Sequence, residues 1–471
     1  MRFIEFINPM LTGAWAHPRQ SCLTTHLFLH INESMRKCRS AALPGGLSGF
    51  ILAGLITSAV AQEDPGTKQP QTSFMPRTET QAIEFLDQYP DFDGRGVVVA
   101  IFDTGVDPTA EGMQITPDGE PKVIDIIDAT GSGDVDMSVT ASPDANGVLN
   151  GLSGRNLTIS SDWPEADGSY HIGLKNGFDL FPGPAIRRYK ALMKKEREHQ
   201  TRQRIRDLKV QLLNPDQSGV PSEEVEARIE ALEKMLQDYD PAPPFYDCVL
   251  FRSGDEWLTV IDSDRDGDLR DEQLMREFDR SQDVGRLEND LGVAFGVHVY
   301  DNGNILSIVT ESGAHGTHVA GIVAGYYPGK PDFNGVAPGA RIVSVKIGDN
   351  RLDGMETMTA MERALPAVVR HECDLINMSY GEPTTLPDQG RIIEMIHHTI
   401  REENIVFVAS AGNSGPALYT VGAPGGTTGP VFAIGAYVSP AMASEQYGYT
   451  GEIPETFYTW SSRGPTFDGD I

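Results

Sequence analysis

The 471-residue sequence is poor in cysteine, with four in all: Cys22, Cys38, Cys248 and Cys373. The first two lie in an N-terminal leader, so the remainder of the chain has too few for a disulfide framework. No CxxC pair or Cys/His cluster is present, which removes the usual structural zinc sites. Positive charge is also scarce. Lys and Arg number 38 against 67 Asp and Glu, a formal net charge of -29. Such a surface repels a phosphate backbone, so nucleic-acid binding is excluded as a function class. The acidic excess identifies no partner by itself. Beyond residue 61 no apolar stretch approaches the ~20 residues that a membrane helix needs. Internal repeats and low-complexity tracts are absent too. Glycine is plentiful at 49 residues, and 39% of the chain is hydrophobic, a composition suited to a globular α/β protein with a large core.

Residues 1–61 read as a leader. Arg36, Lys37 and Arg39 precede an apolar run from Leu47 to Val60, and Ala59-Val60-Ala61 supplies small residues before Gln62. This is the three-part form of a secretory signal over 35–61. Export to the periplasm or the cell exterior is therefore expected, with an anchor formed by an uncleaved leader as the alternative. No other membrane contact is expected. Residues 1–34 resemble no signal n-region, so Met35 is the expected start of translation. Residues 62–92 read as a polar linker with a short helix over 80–88.

The run from Val97 to Phe102 is continuously apolar, the pattern of a strand covered on both faces. It stops at Asp103-Thr104-Gly105. Residues 131–295 differ in character. The stretches 185–213 and 222–240 are charged and helical, and a Pro/Gly-containing turn separates them. Val225, Ile229, Leu232 and Met235 make one apolar stripe, so a helical hairpin is expected. Strands are expected near 248–251 and 258–261. From 296 onward, strands at 342–347, 374–379, 405–410 and 431–436 alternate with helices at 315–324, 355–371 and 391–403. This order predicts an α/β fold: a parallel sheet with helices on both faces, whose two parts, 93–130 and 296–471, flank a large α+β insertion at 131–295. In such sheets ligands bind beyond the carboxyl ends of the strands.

Three segments should meet there. Asp103-Thr104-Gly105-Val106-Asp107 places a carboxylate just past a buried strand, where it can hold an imidazole. Taken alone, a strand-end Asp is more often a turn former. His315-Gly316-Thr317-His318-Val319-Ala320-Gly321 opens a helix of small residues that can sit tightly in the core, with His315 at the first turn. Ser410-Ala411-Gly412-Asn413-Ser414-Gly415 ends a strand in a turn that can present an amide to a developing oxyanion, although Asn and Gly favour plain turns as well.

Asp, His and Asn in this order, each in its own motif, closely resemble the subtilisin family of serine peptidases. Asn377-Met378-Ser379-Tyr380-Gly381 matches that family's substrate-binding strand, and Trp460-Ser461-Ser462-Arg463-Gly464-Pro465 matches the segment before its nucleophile. The separation of 212 residues between Asp103 and His315 is long for a subtilisin. Together with DGEPKVIDIIDATGSGDVD, IGDNRLDGMET and CDLINMSYGEP, it resembles the tripeptidyl peptidase II branch, over about residues 75–471. That branch removes tripeptides from free N-termini.

The resemblance implies roles. Asp103 orients the imidazole, His315 is the general base and then acid, and Asn413 donates to the oxyanion. Ser379, Tyr380 and Gly381 pair with extended substrate. Glu356 and Glu382 grip the free ammonium group of a peptide, and His318 is structural. No cofactor is required. Members of the family form large assemblies, so the full-length protein is expected to self-associate. No Gly-Thr-Ser-Met-type segment occurs before Ile471. The expectation is a core that is incomplete at its C-terminus and a chain that is truncated before its serine and inactive alone. A secreted endopeptidase and a dead peptide-binding pseudopeptidase are the competing readings.

Asp262, Asp264, Asp266 and Asp268, with Gly267, resemble the start of an EF-hand loop. Position 12 is Gln273 rather than a bidentate glutamate, and a strand rather than a helix precedes the loop. A structural calcium ion and a plain acidic turn are both open at this point.

Overall fold

A computed structural model describes residues 77–469, apart from 215–218, 289–290 and 350–353. The leader and its signal lie outside the described residues. No described helix is long and apolar enough to cross a membrane.

After a short helix, α1 (Ala82–Gln88), the chain enters β1 (Val98–Asp103), in which every residue is buried. Strand β2 (Val123–Asp128) follows. The insertion then contributes β3 (Asp134–Asp136), β4 (Val139–Ala141) and β5 (Tyr170–Asn176), and the helices α2 (Gly183–Leu213) and α3 (Ser222–Asp238). It continues through β6 (Phe245–Ser253), β7 (Glu256–Ile261), β8 (Gly285–Leu287), β9 (Val293–Tyr300) and β10 (Ile305–Val309). The alternating part consists of α4 (His315–Ala324), β11 (Arg341–Lys346), α5 (Met358–Arg370), β12 (Leu375–Met378), β13 (Glu382–Pro383), α6 (Arg391–Glu402), β14 (Val406–Ser410), β15 (Gly422–Ala423) and β16 (Phe432–Ile434). Helix α5 begins three residues later than the sequence suggested, because Thr357 caps it by accepting the Ala360 amide.

The main sheet has six strands in the order β16-β14-β12-β1-β11-β2, all parallel. One face packs against α5 and α6 through Val98, Ala100, Phe102, Met361, Ile396 and Phe407. Phe102 and Phe407 meet edge to face at 6.4 Å. The other face carries α4, with Val99 and Ile101 against Ala320 and Ala324. Register places Leu375, Val406, Val408, Phe432 and Ile434 on this second face. There Val406, Phe432 and Ile434 are exposed, and among the described residues nothing covers them. A parallel strand ordinarily hides both faces, so this is the least protected part of the core.

The insertion has its own antiparallel sheets, β8-β9-β10-β3 and β4-β5-β6-β7. The first of these pairs β3, near residue 135, with β10, near 306. The insertion's fold thus runs past residue 295, where the sequence reading ended it. Val297, Leu306 and Ile308 belong to its core, because apolar runs in β9 and β10 look the same whichever sheet they join. The hairpin forms, and pairs between Lys190 and Asp240 and between Lys209 and Glu233 show its helices to be antiparallel. Its stripe is Val225, Ile229, Leu232 and Leu236, whereas Met235 is exposed, because a spacing of four keeps the last residue over the partner helix.

A buried ion pair fastens the root of the insertion to the main sheet. Lys346 Nζ lies 2.8 Å from Asp128 Oδ2, with 1% and 0% of the two side chains exposed. Asp128 also accepts from the Gly133 and Thr130 amides and from the Thr130 and Ser132 hydroxyls. Lys346 is the register neighbour of Asp103, so the pair sits beside the functional end of β1.

Candidate active site

The carboxyl ends of β1, β11, β12 and β14 define a cleft. Asp103, the last residue of β1, is fully buried. Its Oδ1 accepts from the Thr104 amide at 2.7 Å, and its two oxygens lie 2.8 and 2.9 Å from His315 Nδ1. Nδ1–H therefore points at the carboxylate, which leaves Nε2 for the cleft; just over half of the His315 side chain is exposed (55%). The hydrogen bond to Asp103 raises the His315 pKa and outweighs the opposing effect of burial. The carboxylate thus both aims the ring and makes it a stronger base.

Local chemistry holds the pair in place. Thr104 Oγ1 donates to Gly313 O at 2.7 Å and accepts the Gly316 amide at 3.0 Å, tying the β1 loop to the start of α4. Gly316 has no side chain because a Cβ there would meet the Gly105 carbonyl. His318 is exposed on α4 and is not part of the dyad. Thr104 was legible only as part of a motif; its bridging hydroxyl emerges from the fold.

Asn413 lies in the turn after β14 and is exposed. The turn is held by the motif near the end of the chain. Ser462 Oγ accepts the Ser414 amide, the Ser462 amide donates to Gly412 O, and the Gly415 amide donates to Trp460 O. The positioning role of Ser462 was missed by the sequence reading, although it lies within the quoted Ser-Ser-Arg-Gly-Pro motif. Ser379, Tyr380 and Gly381 run between β12 and β13, with Asn377 donating to Ser379 Oγ at 3.2 Å. Glu382 then starts β13, which pairs with β15.

Glu356 closes the loop after β11 through an antiparallel bridge with Gly348. Its Oε2 is shielded from solvent and has no hydrogen-bond partner among the described residues. Burial pushes the Glu356 carboxyl up, and the nearby charge of Glu382 adds to the rise. Among the described residues no cation pairs with either carboxylate, and the charge of Glu382 is felt at Glu356. The Tyr380 ring lies edge-on to His315.

The acidic loop stands apart from this cleft. Asp262 is buried and within 3.0 Å of Arg155 Nε, although not aligned for a hydrogen bond, and Asp268 pairs with Arg270. Asp264 and Asp266 accept the Asp266 and Asp268 amides. Glu272, which the sequence reading passed over, accepts from the Ser263 amide and hydroxyl. Asp262, Asp264 and Glu272 are close enough to share a cation, but Arg155 already supplies a positive charge at Asp262.

A parallel sheet with a buried Asp and an accessible His paired at its strand ends defines a subtilisin-like serine peptidase core. The Subtilase family model matches residues 94–471, and the chain belongs to that family. Within it, the chain is similar to tripeptidyl-peptidase 2 from several organisms. It is 43% identical over 415 residues to the Oryza sativa subsp. japonica protein, which covers 85% of this chain and 30% of the rice protein. It is 38% identical over 424 residues to the Drosophila melanogaster protein, which covers 85% of this chain and 29% of the fly protein. The crystal structure of a tripeptidyl peptidase 2 matches with a TM-score of 0.63 at 33% identity, covering 82% of this chain and 31% of that one. The chain thus spans about 30% of the length of the relatives it matches.

Proposed function

We propose that this chain forms the substrate-binding and acid–base part of a peptidase that releases tripeptides from free N-termini. The observation that carries the reading is the half-buried carboxyl of Glu356, whose Oε2 has no hydrogen-bond partner among the described residues, with the charge of Glu382 near it. A buried carboxylate without a partner is costly, and a peptide ammonium group supplies the missing charge and donors. An internal or blocked peptide supplies neither, so the pair rewards a free N-terminus.

The chemistry follows from the dyad. A serine hydroxyl attacks the carbonyl carbon of the third residue while His315 Nε2 takes the hydroxyl proton. Asp103 stabilises the resulting imidazolium. The Asn413 amide donates to the oxyanion as it forms. His315 then returns the proton to the departing amine, and water repeats the sequence to free the tripeptide acid. No serine in a Gly-Thr-Ser-Met-type segment occurs among these 471 residues. By themselves they are expected to bind peptide without acylation.

The test is Glu356→Gln combined with Glu382→Gln in the 471-residue chain, with peptide affinity measured by fluorescence anisotropy. Loss of a charged hydrogen-bonding pair should weaken a free-amine peptide roughly tenfold to a hundredfold and leave its acetylated counterpart unchanged. An equal loss for both peptides would favour an endopeptidase-type cleft.

A further inference from the structure

We propose that the Tyr380 ring fixes the size of the second residue of the tripeptide, restricting it to glycine or alanine. The inference rests on the free-amine reading for the direction in which the peptide lies.

The Tyr380 side chain spans the cleft. At one end its ring meets the His315 imidazole edge to face, with centroids 6.5 Å apart and planes at 89°. At the other end its hydroxyl lies against the loop that carries Glu356. A Cβ on Gly348 would collide with the phenol oxygen, and one on Gly354 would come within 3.7 Å of it. Gly348 is also the bridge partner of Glu356. Gly348 and Gly354 thus leave room for the Tyr380 hydroxyl, and the ring lies between the imidazole of His315 and the segment that leads to Glu356.

The phenol stays neutral. Burial pushes its pKa well up, and the charges of Asp103 and Glu356 push it further. It adds no charge to compete with the incoming ammonium group, so its effect on substrate is one of shape. In an extended peptide successive side chains alternate between faces. With the amine at Glu356 and the third carbonyl at His315, the first and third side chains share one face and only the second turns to the other. The ring lies between the two anchors, and we place it on the face to which that second side chain turns. A well-packed space resists added methylenes, so leucine or phenylalanine in that position displaces either the ring or the peptide.

The experiment measures binding of C-terminally labelled peptides to the 471-residue chain. Peptides beginning Ala-Ala-Phe and Ala-Leu-Phe are compared, each with a free and an acetylated N-terminus. The native chain should prefer alanine in second position by roughly tenfold or more. Tyr380→Ala should bring the two peptides within about threefold of each other, Tyr380→Leu should narrow the gap, and Tyr380→Phe should preserve it. Equal affinities in the native chain overturn the proposal, as does a gap unchanged in both the alanine and the leucine variants. Loss of the preference in Tyr380→Phe also overturns it, since the hydroxyl and not the ring would then be responsible. Acetylation reports separately on the amine. If it costs nothing, the free-amine reading fails, while the alanine–leucine comparison within the acetylated series still decides the role of the ring. Absence of binding by every peptide overturns both.

Discussion

Replacing Lys346 with methionine tests how the catalytic strand is held. The substitution keeps most of the side-chain volume, so its main effect is to strand the Asp128 carboxylate in a site where 0% of that side chain is exposed. Breaking a buried pair in this way costs about 3–5 kcal/mol. Asp128 retains hydrogen bonds from the Gly133 amide at 2.7 Å and the Thr130 amide at 2.9 Å. The expected loss is therefore near the lower end, about 3 kcal/mol at pH 7. The pH dependence has a definite sign. Burial pushes the native Asp128 carboxyl up, but Lys346 and the hydrogen bonds outweigh it and hold the pKa below the usual range. That stabilisation is present above the unfolded-state carboxylate pKa and is lost as pH falls through the depressed folded value. Without Lys346 burial dominates, the carboxyl takes up a proton more readily, and the penalty shrinks on acidification. Urea unfolding followed by tryptophan fluorescence should show a native-to-variant gap that narrows between pH 7 and pH 5. A loss below about 1 kcal/mol at pH 7, or a gap that does not change with pH, refutes the reasoning.

Other outcomes follow from the cleft and the open sheet face. Asp103→Asn removes the carboxylate charge that strengthens the hydrogen bond to His315 and raises its pKa, so NMR titration of the imidazole should show a downward shift; an unchanged pKa contradicts the dyad geometry. Glu356 must be ionised to hold an ammonium group, and its raised pKa makes free-amine binding fall on acidification before an ordinary glutamate would titrate. Binding should fall again above the α-amino pKa of about 7.7–8.0, giving a bell-shaped affinity profile that the acetylated peptide lacks. Phe432→Lys with Ile434→Lys should reduce binding of a hydrophobic dye and cost under about 1 kcal/mol in urea unfolding, because both side chains are already exposed. A large loss of stability would show that the face is covered.

Asp103 and His315 were legible in the sequence because each sits in a motif whose neighbours are fixed by close packing: a buried strand before the one, and small residues after the other. The sheet was legible for the same reason, since β1 is apolar from Val98 to Phe102 and β11 is dominated by Ile342, Val343 and Val345. Less could be read where the chemistry depends on distant partners. Asp128 and Lys346 lie 218 positions apart in the numbering and look like ordinary charges until register pairs β2 with β11. Glu356 and Glu382 were assigned by resemblance alone, and only the fold shows that one oxygen of Glu356 has no hydrogen-bond partner among the described residues. The end of the insertion was misjudged because β9 and β10 are apolar in either sheet. Met235 replaced Leu236 in the stripe because adjacent apolar residues fit a helical period equally well.

The most direct measurement is the affinity of the native 471-residue chain for one peptide sequence with and without an acetyl group on its N-terminus, at pH 7. The account predicts at least roughly tenfold tighter binding of the free amine. Equal affinities would contradict recognition of the N-terminus and leave the cleft as that of a peptidase indifferent to where its substrate begins.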